Sequence, residues 1–180
     1  MSFLTASGAF PPIKPTTSHD VTAEERITAV DFVNRVNYLF EEFDHAKILS
    51  AFLPDAIAYH FHGTIRGHSG LKTFLEKDYP YLIPGVTRHA TNHIVDRDDE
   101  TGGVVVRYHT QLVRFAWPRD ADKVTGMTAE AVESTDGLPA IWLWSPVIDR
   151  LKMTEEGWKV HEKYIGGSVV NKNLSPSPSE

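Results

Sequence analysis

The residues most able to do chemistry in this chain are its histidines. There are nine histidines and no cysteine, and most of the histidines lie between His45 and His109. His60 and His62 are two residues apart, and His109 lies in a long run that alternates like a β-strand. Residues of the same parity share one face of a strand. Because imidazole both gives and takes a proton near neutral pH, this spacing favours a pocket that transfers protons.

The same histidines could instead bind a metal ion. The pattern His60-Phe61-His62 with a remote third histidine such as His109 is a common ligand set for iron, manganese or copper. However, no glutamate follows His62 within the next turn, and a helical pattern follows where a metal-binding barrel would need another strand. We therefore favour proton transfer and expect no metal.

Composition limits the class of protein. The chain has 180 residues, of which 41% are hydrophobic, which is enough for one domain with a real core. The net charge is −6 and there is no basic run, so we expect neither nucleic acid nor membrane as a partner. The first residues lack the basic and apolar regions of a signal peptide. We expect a soluble cytoplasmic protein with a small-molecule substrate.

The spacing of apolar residues predicts the elements that position these side chains. Thr22-Ala-Glu-Glu25 is a capping box that begins an amphipathic helix. A short helix is predicted over Ala46–Leu53, and a third helix runs from Gly67 to near Pro80. Strands are predicted over Ala56–His62, Thr87–Asp96, Val104–Phe115, Ala140–Met153 and Trp158–Ile165.

This order of elements predicts an α+β fold. The fold would be a curved, mostly antiparallel sheet with helices packed on its concave face, forming a cone-shaped cavity. The predicted domain covers residues 21–167. Residues 1–20 and 168–180 are rich in proline, serine or threonine and are predicted to form a flexible arm and a flexible tail. Residues 118–139 are long for a loop and are predicted to be a lid or disordered.

Three segments of the chain resemble the nuclear transport factor 2-like superfamily, in its SnoaL-like polyketide cyclase and scytalone dehydratase-like branch. The segments begin at Phe43-Asp44-His, at Arg88-His89-Ala-Thr-Asn92 and at Ile148-Asp149-Arg, and the resemblance covers roughly Thr22 to Ile165. It implies the cone-shaped fold and a cofactor-free dehydratase, cyclase or isomerase, although some members only bind ligands. It also implies a homodimer formed through the sheet.

The resemblance places acid/base catalysis on Asp44 and His89, the positions that match the Asp–His pair of scytalone dehydratase-like enzymes. A carboxylate that accepts a hydrogen bond from one imidazole nitrogen sets the tautomer and raises the basicity of the other nitrogen. Such a pair can remove a proton beside a carbonyl or protonate a leaving hydroxyl. The alternative is that Asp44 caps the next helix and His89 is a core histidine.

Further substrate contacts are expected on two strands. His60, with Tyr59 beside it, lies near the position of a family pocket tyrosine. The resemblance places a second family histidine at Phe115, which favours the odd-numbered face of its strand, with His109 and Gln111, as the cavity wall. The alternative is that this face is exposed and the even-numbered valines are buried.

The fourth predicted strand supplies the remaining candidates. Family position suggests that Ser145 and Val147 face the pocket. Asp149 is a second candidate there, although such a residue more often pairs with a neighbour such as Arg150.

These observations predict a cofactor-independent lyase or isomerase, a dehydratase or cyclase, for a small apolar oxygenated molecule. A polyketide or terpenoid intermediate of secondary metabolism is the expected class. Asp44 and His89 would form the acid/base pair, and His60 and His109 would bind a substrate oxygen. Two other classes stay open: a non-catalytic ligand-binding or dimerisation module, and a metal enzyme with converging histidines.

Overall fold

The computed structural model describes residues 19–60, 63–77, 79, 84–124, 131, 133–134 and 136–175. These residues form the helices α1 (Ala23–Glu42), α2 (His45–Ser50) and α3 (Gly67–Lys77). Their strands are β1 (Phe52–His60), β2 (Gly63–Arg66), β3 (Val86–Arg97), β4 (Val104–Arg114), β5 (Ala140–Thr154), β6 (Gly157–Ile165) and β7 (Val169–Val170). Short 3-10 helices cover Pro118–Lys123 and Lys172–Leu174. None of the described helices is long and apolar enough to cross a membrane.

The strands form one sheet in the order β2-β1-β6-β5-β4-β3, and β7 pairs with the beginning of β5. Neighbouring strands are antiparallel except β1 and β6, which are parallel. Helix α1 packs along β3, and α3 packs against β1 and β2. The core therefore lies between the helices and the concave face of the sheet, where Val33, Ile48 and Leu75 meet Val106 and Val160. The predicted α+β fold is confirmed.

The first helix begins where the capping box predicts. The Thr22 hydroxyl accepts from the Glu25 N–H at 3.1 Å, and the Glu25 carboxylate accepts from the Thr22 N–H at 2.9 Å. Arg97 donates to the same carboxylate at 2.7 and 2.9 Å, which ties the start of α1 to the end of β3. The helix ends at Glu42. The C-cap residue Phe43 still donates its N–H to the Leu39 carbonyl at 3.0 Å, and its left-handed backbone (φ 56°) turns the following chain away from the helix axis.

The structure differs from the sequence prediction around β1. Helix α2 ends at Ser50, and β1 begins at Phe52, so Pro54 lies inside a strand rather than after a helix. Proline is tolerated there because the pairing of β1 with β6 is irregular between Phe52 and Ile57 and needs no N–H donor from Pro54. Strand β2 was not predicted.

Residues 168–175 pack on the sheet, although the sequence analysis assigned them to a flexible tail. Val170 pairs with Leu143 in β5, and the Leu174 side chain is buried beside Trp142. The Arg114 guanidinium donates to the Leu174 carbonyl at 2.7 Å. Burial of the Leu174 side chain and pairing of Val170 stabilise this segment on the sheet, although its composition is rich in serine and proline. Predictions for residues 1–18, 125–130 and 176–180 lie outside the described residues, as do those for Phe61 and His62.

Candidate functional site

A cavity of about 270 Å³ lies between the helices and the concave face of the sheet. Its wall is mostly apolar, with side chains from α1, α3 and all seven described strands. The volume is just below the roughly 300–1,000 Å³ of pockets that bind drug-sized ligands. The cavity is therefore suited to a small hydrophobic molecule. The polar groups in this wall lie mainly in two clusters and at His60.

The first cluster joins Lys163, Tyr108 and Asp149. The Lys163 ammonium donates to the Asp149 carboxylate oxygens at 2.8 and 3.0 Å and to the Tyr108 hydroxyl at 2.8 Å. The Tyr108 hydroxyl in turn donates to Asp149 at 2.9 Å. Lys163 and Tyr108 line the cavity, and Asp149, which is 1% exposed, lies behind them. The cluster thus presents a cation and a phenol to the cavity, held from behind by a buried carboxylate.

Strand register brings this cluster together. Asp149 on β5 is the direct partner of Lys163 on β6, and Tyr108 on β4 is the partner of Val147, two residues from Asp149 on the same face. Lys163 faces the cavity because β6 contains a bulge at His161, where the register shifts by one residue.

Burial sets the protonation of the phenol in this cluster. Desolvation raises the pKa of Tyr108 well above its ordinary value, and the negative charge of Asp149 raises it further. Tyr108 therefore stays a protonated donor across the physiological range. The His93 ring stacks on the Tyr108 ring at 5.4 Å, and burial lowers the pKa of His93, so His93 packs there as a neutral imidazole.

His60 is the described histidine that lines the cavity. It is the last residue of β1, is 8% exposed and lies with its ring centre 5.1 Å from that of Phe74 on α3. His60 therefore lies in the cavity wall, and its contact with a substrate stays a prediction.

The second cluster joins Arg88 and Tyr79. The Arg88 guanidinium donates to the Tyr79 hydroxyl. Its central carbon lies 5.1 Å from the Phe40 ring centre and 5.2 Å from that of Tyr79. Glu41 holds the strand in place by accepting from the Arg88 backbone N–H. Burial raises the pKa of Tyr79, so this phenol also stays protonated.

Asp44 and His89 lie outside the cavity wall. Asp44 is the N-cap of α2, where its carboxylate accepts from the Lys47 N–H at 3.0 Å and lies 3.3 Å from the Lys47 ammonium. His89 is exposed on β3, because its neighbour Arg88 lines the cavity and adjacent strand residues point to opposite faces. The expected hydrogen bond between Asp44 and His89 is absent from the contacts of the described residues. Their catalytic roles stay predictions that this geometry does not support.

The cavity is lined by the even-numbered face of β4, so the prediction for His109, Gln111 and Phe115 is wrong. Even-numbered Val104 and Val106 are buried in the core, and this orients Tyr108, Thr110 and Leu112 toward the cavity in the same strand. His109 instead stacks on Trp144 at 5.2 Å on the outer face of the sheet.

The remaining candidates divide between the wall and the region behind it. Val147 lines the cavity, and its contact with a substrate stays a prediction, whereas Tyr59 stacks on Tyr164 at 4.7 Å and does not line the cavity. The buried Ser145 hydroxyl donates to the Gly166 carbonyl at 3.1 Å and does not reach the cavity wall, which contradicts its predicted role. Asp149 acts on the cavity only through Lys163 and Tyr108.

The described histidines do not converge. His60 faces the cavity and His109 lies on the outer face of the sheet, so these two cannot share one ion. Within the described ranges, no group of three or more histidine, aspartate or glutamate residues could hold a metal. His62, the third member of that hypothesis, lies outside those ranges.

Three cavity-lining residues were not predicted from the sequence: Tyr108, Arg88 and Lys163. The alternation of apolar Val106, Tyr108 and Leu112 with polar residues was available as a signal for the inward face of β4. Arg88 follows from the same rule once His89 is known to point outward. No alternation in β6 indicates Lys163, because the bulge reverses the pattern.

Comparison with solved structures supports the fold. The chain resembles an NTF2-like protein with a cystatin-like fold from Novosphingobium aromaticivorans (TM-score 0.57, 14% identity, 87% of this chain and 86% of that one). It resembles ActVI-ORFA from Streptomyces coelicolor (0.58, 12%, 78% and 94%). It also resembles a Novosphingobium aromaticivorans protein assigned provisionally as a scytalone dehydratase (0.59, 14%, 86% and 93%). At these identities the similarity shows the fold alone.

Sequence comparison identifies the family. No curated protein matches the chain. The model of the SnoaL-like domain matches residues 21–164, which include β1 to β5, all but the last residue of β6 and most of the cavity wall. The chain therefore belongs to the SnoaL-like family, within the NTF2-like fold.

Proposed function

We propose that this protein is a cofactor-independent lyase or isomerase, of the dehydratase or cyclase type, for a small oxygenated molecule. Membership of the SnoaL-like family supports this class of reaction, as does the similarity to a provisional scytalone dehydratase. A polyketide intermediate is the favoured substrate class, and a terpenoid is the alternative. The predicted homodimer is retained as a proposal.

The observation that supports the proposal most directly is the Lys163–Tyr108–Asp149 cluster in the wall of an apolar cavity. A buried ammonium group beside apolar side chains stabilises negative charge more strongly than one in water. Two of the three groups face the cavity, and the third neutralises the ammonium from behind. The site is therefore preorganised for a substrate oxygen that gains negative charge.

His60 is the group we assign to proton transfer. In a dehydration, a carbonyl oxygen of the substrate accepts the Lys163 N–H that otherwise goes to the Tyr108 hydroxyl, and the C–H bond next to the carbonyl breaks. The proton goes to the His60 imidazole, and the electron pair forms an enolate. The enolate then re-forms the carbonyl and a C=C bond as the β-hydroxyl leaves with the proton from His60, giving water. In a cyclisation, the enolate carbon attacks a second carbonyl, and the resulting alkoxide takes that proton.

Metabolite comparison tests the proposal. Cells that lack the gene are complemented with wild type, His60→Gln or Tyr108→Phe, and the accumulated compounds are compared. Because general acid–base catalysis contributes about 10²–10⁴-fold, we expect His60→Gln to accumulate the substrate. Tyr108→Phe should reduce product formation less than His60→Gln does, because the Lys163 ammonium stays in place. Lys72→Met, an exposed helix substitution on α3, is the control and should restore the product.

Asp44→Asn and His89→Ala are included because they test the acid/base pair predicted from the sequence, which lies outside the cavity wall. Product loss in the cavity variants, with product made by Asp44→Asn and His89→Ala, supports the proposal. Normal product from His60→Gln and Tyr108→Phe at wild-type protein levels would overturn it. Product loss confined to Asp44→Asn and His89→Ala would also overturn it.

A further inference from the structure

Arg88 is the less compensated of the two cations that line the cavity. Lys163 is neutralised by Asp149 at 2.8 Å. The Arg88 guanidinium donates to the neutral Tyr79 hydroxyl and packs over two aromatic rings. Within the described parts of the chain, no carboxylate forms an ion pair with this guanidinium. The cavity wall therefore holds a positive charge that a ligand can complement.

The packing of Arg88 determines which ligand chemistry suits it. The central carbon of the Arg88 guanidinium lies over the Phe40 and Tyr79 rings, 5.1 and 5.2 Å from their centres. One terminal nitrogen donates to the Tyr79 hydroxyl, and among the described residues Nε and the other terminal nitrogen have no hydrogen-bond acceptor. A guanidinium edge presents its donors as a planar fork, which matches the two oxygens of a carboxylate.

We infer that Arg88 binds a carboxylate group of the substrate, so that the cavity accepts a small hydrophobic acid in preference to the matching neutral molecule. The inference rests on the proposed function, because it names the substrate class of the same cavity. The inference also assigns different roles to the two cations. Arg88 anchors the anionic end, and Lys163, already balanced by Asp149, is left for the oxygen at the reacting carbon.

Calorimetric binding of two matched probes tests this inference without any turnover. The probes are 1-naphthoate and 1-naphthamide, which have nearly the same shape and differ in charge. We expect wild type to prefer naphthoate. Arg88→Gln should weaken naphthoate binding about 10- to 100-fold, the effect of losing a charge-assisted hydrogen bond, and should leave naphthamide binding unchanged. Arg35→Gln, which removes an exposed charge on α1, is the control and should behave as wild type.

Equal affinity of wild type for both probes would overturn the inference, and so would equal weakening of both by Arg88→Gln. If the glutamine variant unfolds, Arg88→Lys is measured instead. It keeps the charge but not the planar fork, so it should weaken naphthoate binding more than naphthamide binding. A folded lysine variant that weakens the binding of both probes equally also overturns the inference. Because binding is measured alone, a failure of the proposed reaction in cells leaves this result unaffected.

Discussion

Lys163 and Asp149 are direct partners across β5 and β6, and their side chains meet on the concave face, with ammonium and carboxylate 2.8 Å apart. Both residues are at least nine-tenths buried. Burial of an ion pair is costly, and each charge depends on its partner for compensation. This pair is therefore both the centre of the proposed site and a point on which folding depends.

Lys163→Met should lower the free energy of unfolding by about 3–5 kcal/mol, because it leaves the Asp149 carboxylate buried without its cation. Urea denaturation measures the loss. Lys72→Met is the control, since the exposed Lys72–Glu76 pair contributes about 1 kcal/mol or less. Adding Asp149→Asn to Lys163→Met should cost less than the sum of the single losses. A loss no larger than that of the control would contradict the prediction.

Arg150→Met should also destabilise the fold by about 3–5 kcal/mol. Arg150 donates to the buried Asp98 carboxylate at 2.9 and 3.1 Å and to Glu162 at 2.8 Å. Although desolvation opposes it, Arg150 helps to hold the pKa of Asp98 below its ordinary value. Arg35→Met, at an exposed pair with Asp31, should change thermal stability little. Equal melting temperatures for the two variants would show that the hydrogen bonds of Arg150 to Asp98 and Glu162 contribute little to stability.

Glu25→Gln should reveal a pH-dependent contribution at the start of α1. The hydrogen bond from Arg97, together with the backbone and side chain of Thr22, lowers the pKa of Glu25 from 4.5 to about 2. A lowered carboxyl pKa stabilises the folded state above the unfolded value, and this stabilisation is lost as pH falls through the folded value. The stability difference between wild type and Glu25→Gln should therefore be constant above pH 5.

That difference should shrink between about pH 4.5 and pH 2, with a slope of at most about 1.4 kcal/mol per pH unit for one proton. Because the ion pair is partly exposed, solvent screening will keep the total small. Glutamine at this position keeps an acceptor for the Thr22 N–H, so the capping box is retained. A difference that stays constant down to pH 2 would show that the Glu25 carboxyl titrates normally.

Leu174→Ala should lower the free energy of unfolding by about 2 kcal/mol or more, the usual cost of removing a buried leucine side chain. Leu174 is 7% exposed and packs beside Trp142 and Leu143. The control is Val169→Ala, because Val169 is 67% exposed and should change stability by less than about 0.5 kcal/mol. Equal effects would mean that residues 168–175 are not part of the folded domain.

The regular parts of the fold could be predicted from the sequence because local pattern and tertiary environment agree there. The alternation that begins at Val104 gives β4 within one residue of its observed end, and the capping box gives the start of α1. Strand β2 has four residues with little alternating contrast, too short to stand out. Strand β7 forms only because it pairs with β5, which is distant in the sequence. The serine- and proline-rich composition after Leu174 gave no indication of this pairing.

The site was harder to predict, because the direction of one side chain depends on the irregularities before it. Asp44 was placed by a matching motif, yet the same residue is a good helix cap, and local capping determines its contacts. The resemblance indicated the position of His60 but not its face, so it also suggested Tyr59, which stacks on Tyr164 instead. Lys163 could not be placed, because regular alternation from Trp158 would point it away from the cavity.

The bulge at His161 changes which residues of β6 face the cavity. Before it, cavity-side residues have even numbers, as Trp158 and Val160 do, and after it they have odd numbers, as Lys163 and Ile165 do. A sequence alignment that passes through this strand without a gap will therefore match an inward lysine in one relative with an outward residue in another. Relatives that lack the extra residue can retain the same cation in the cavity at a position shifted by one.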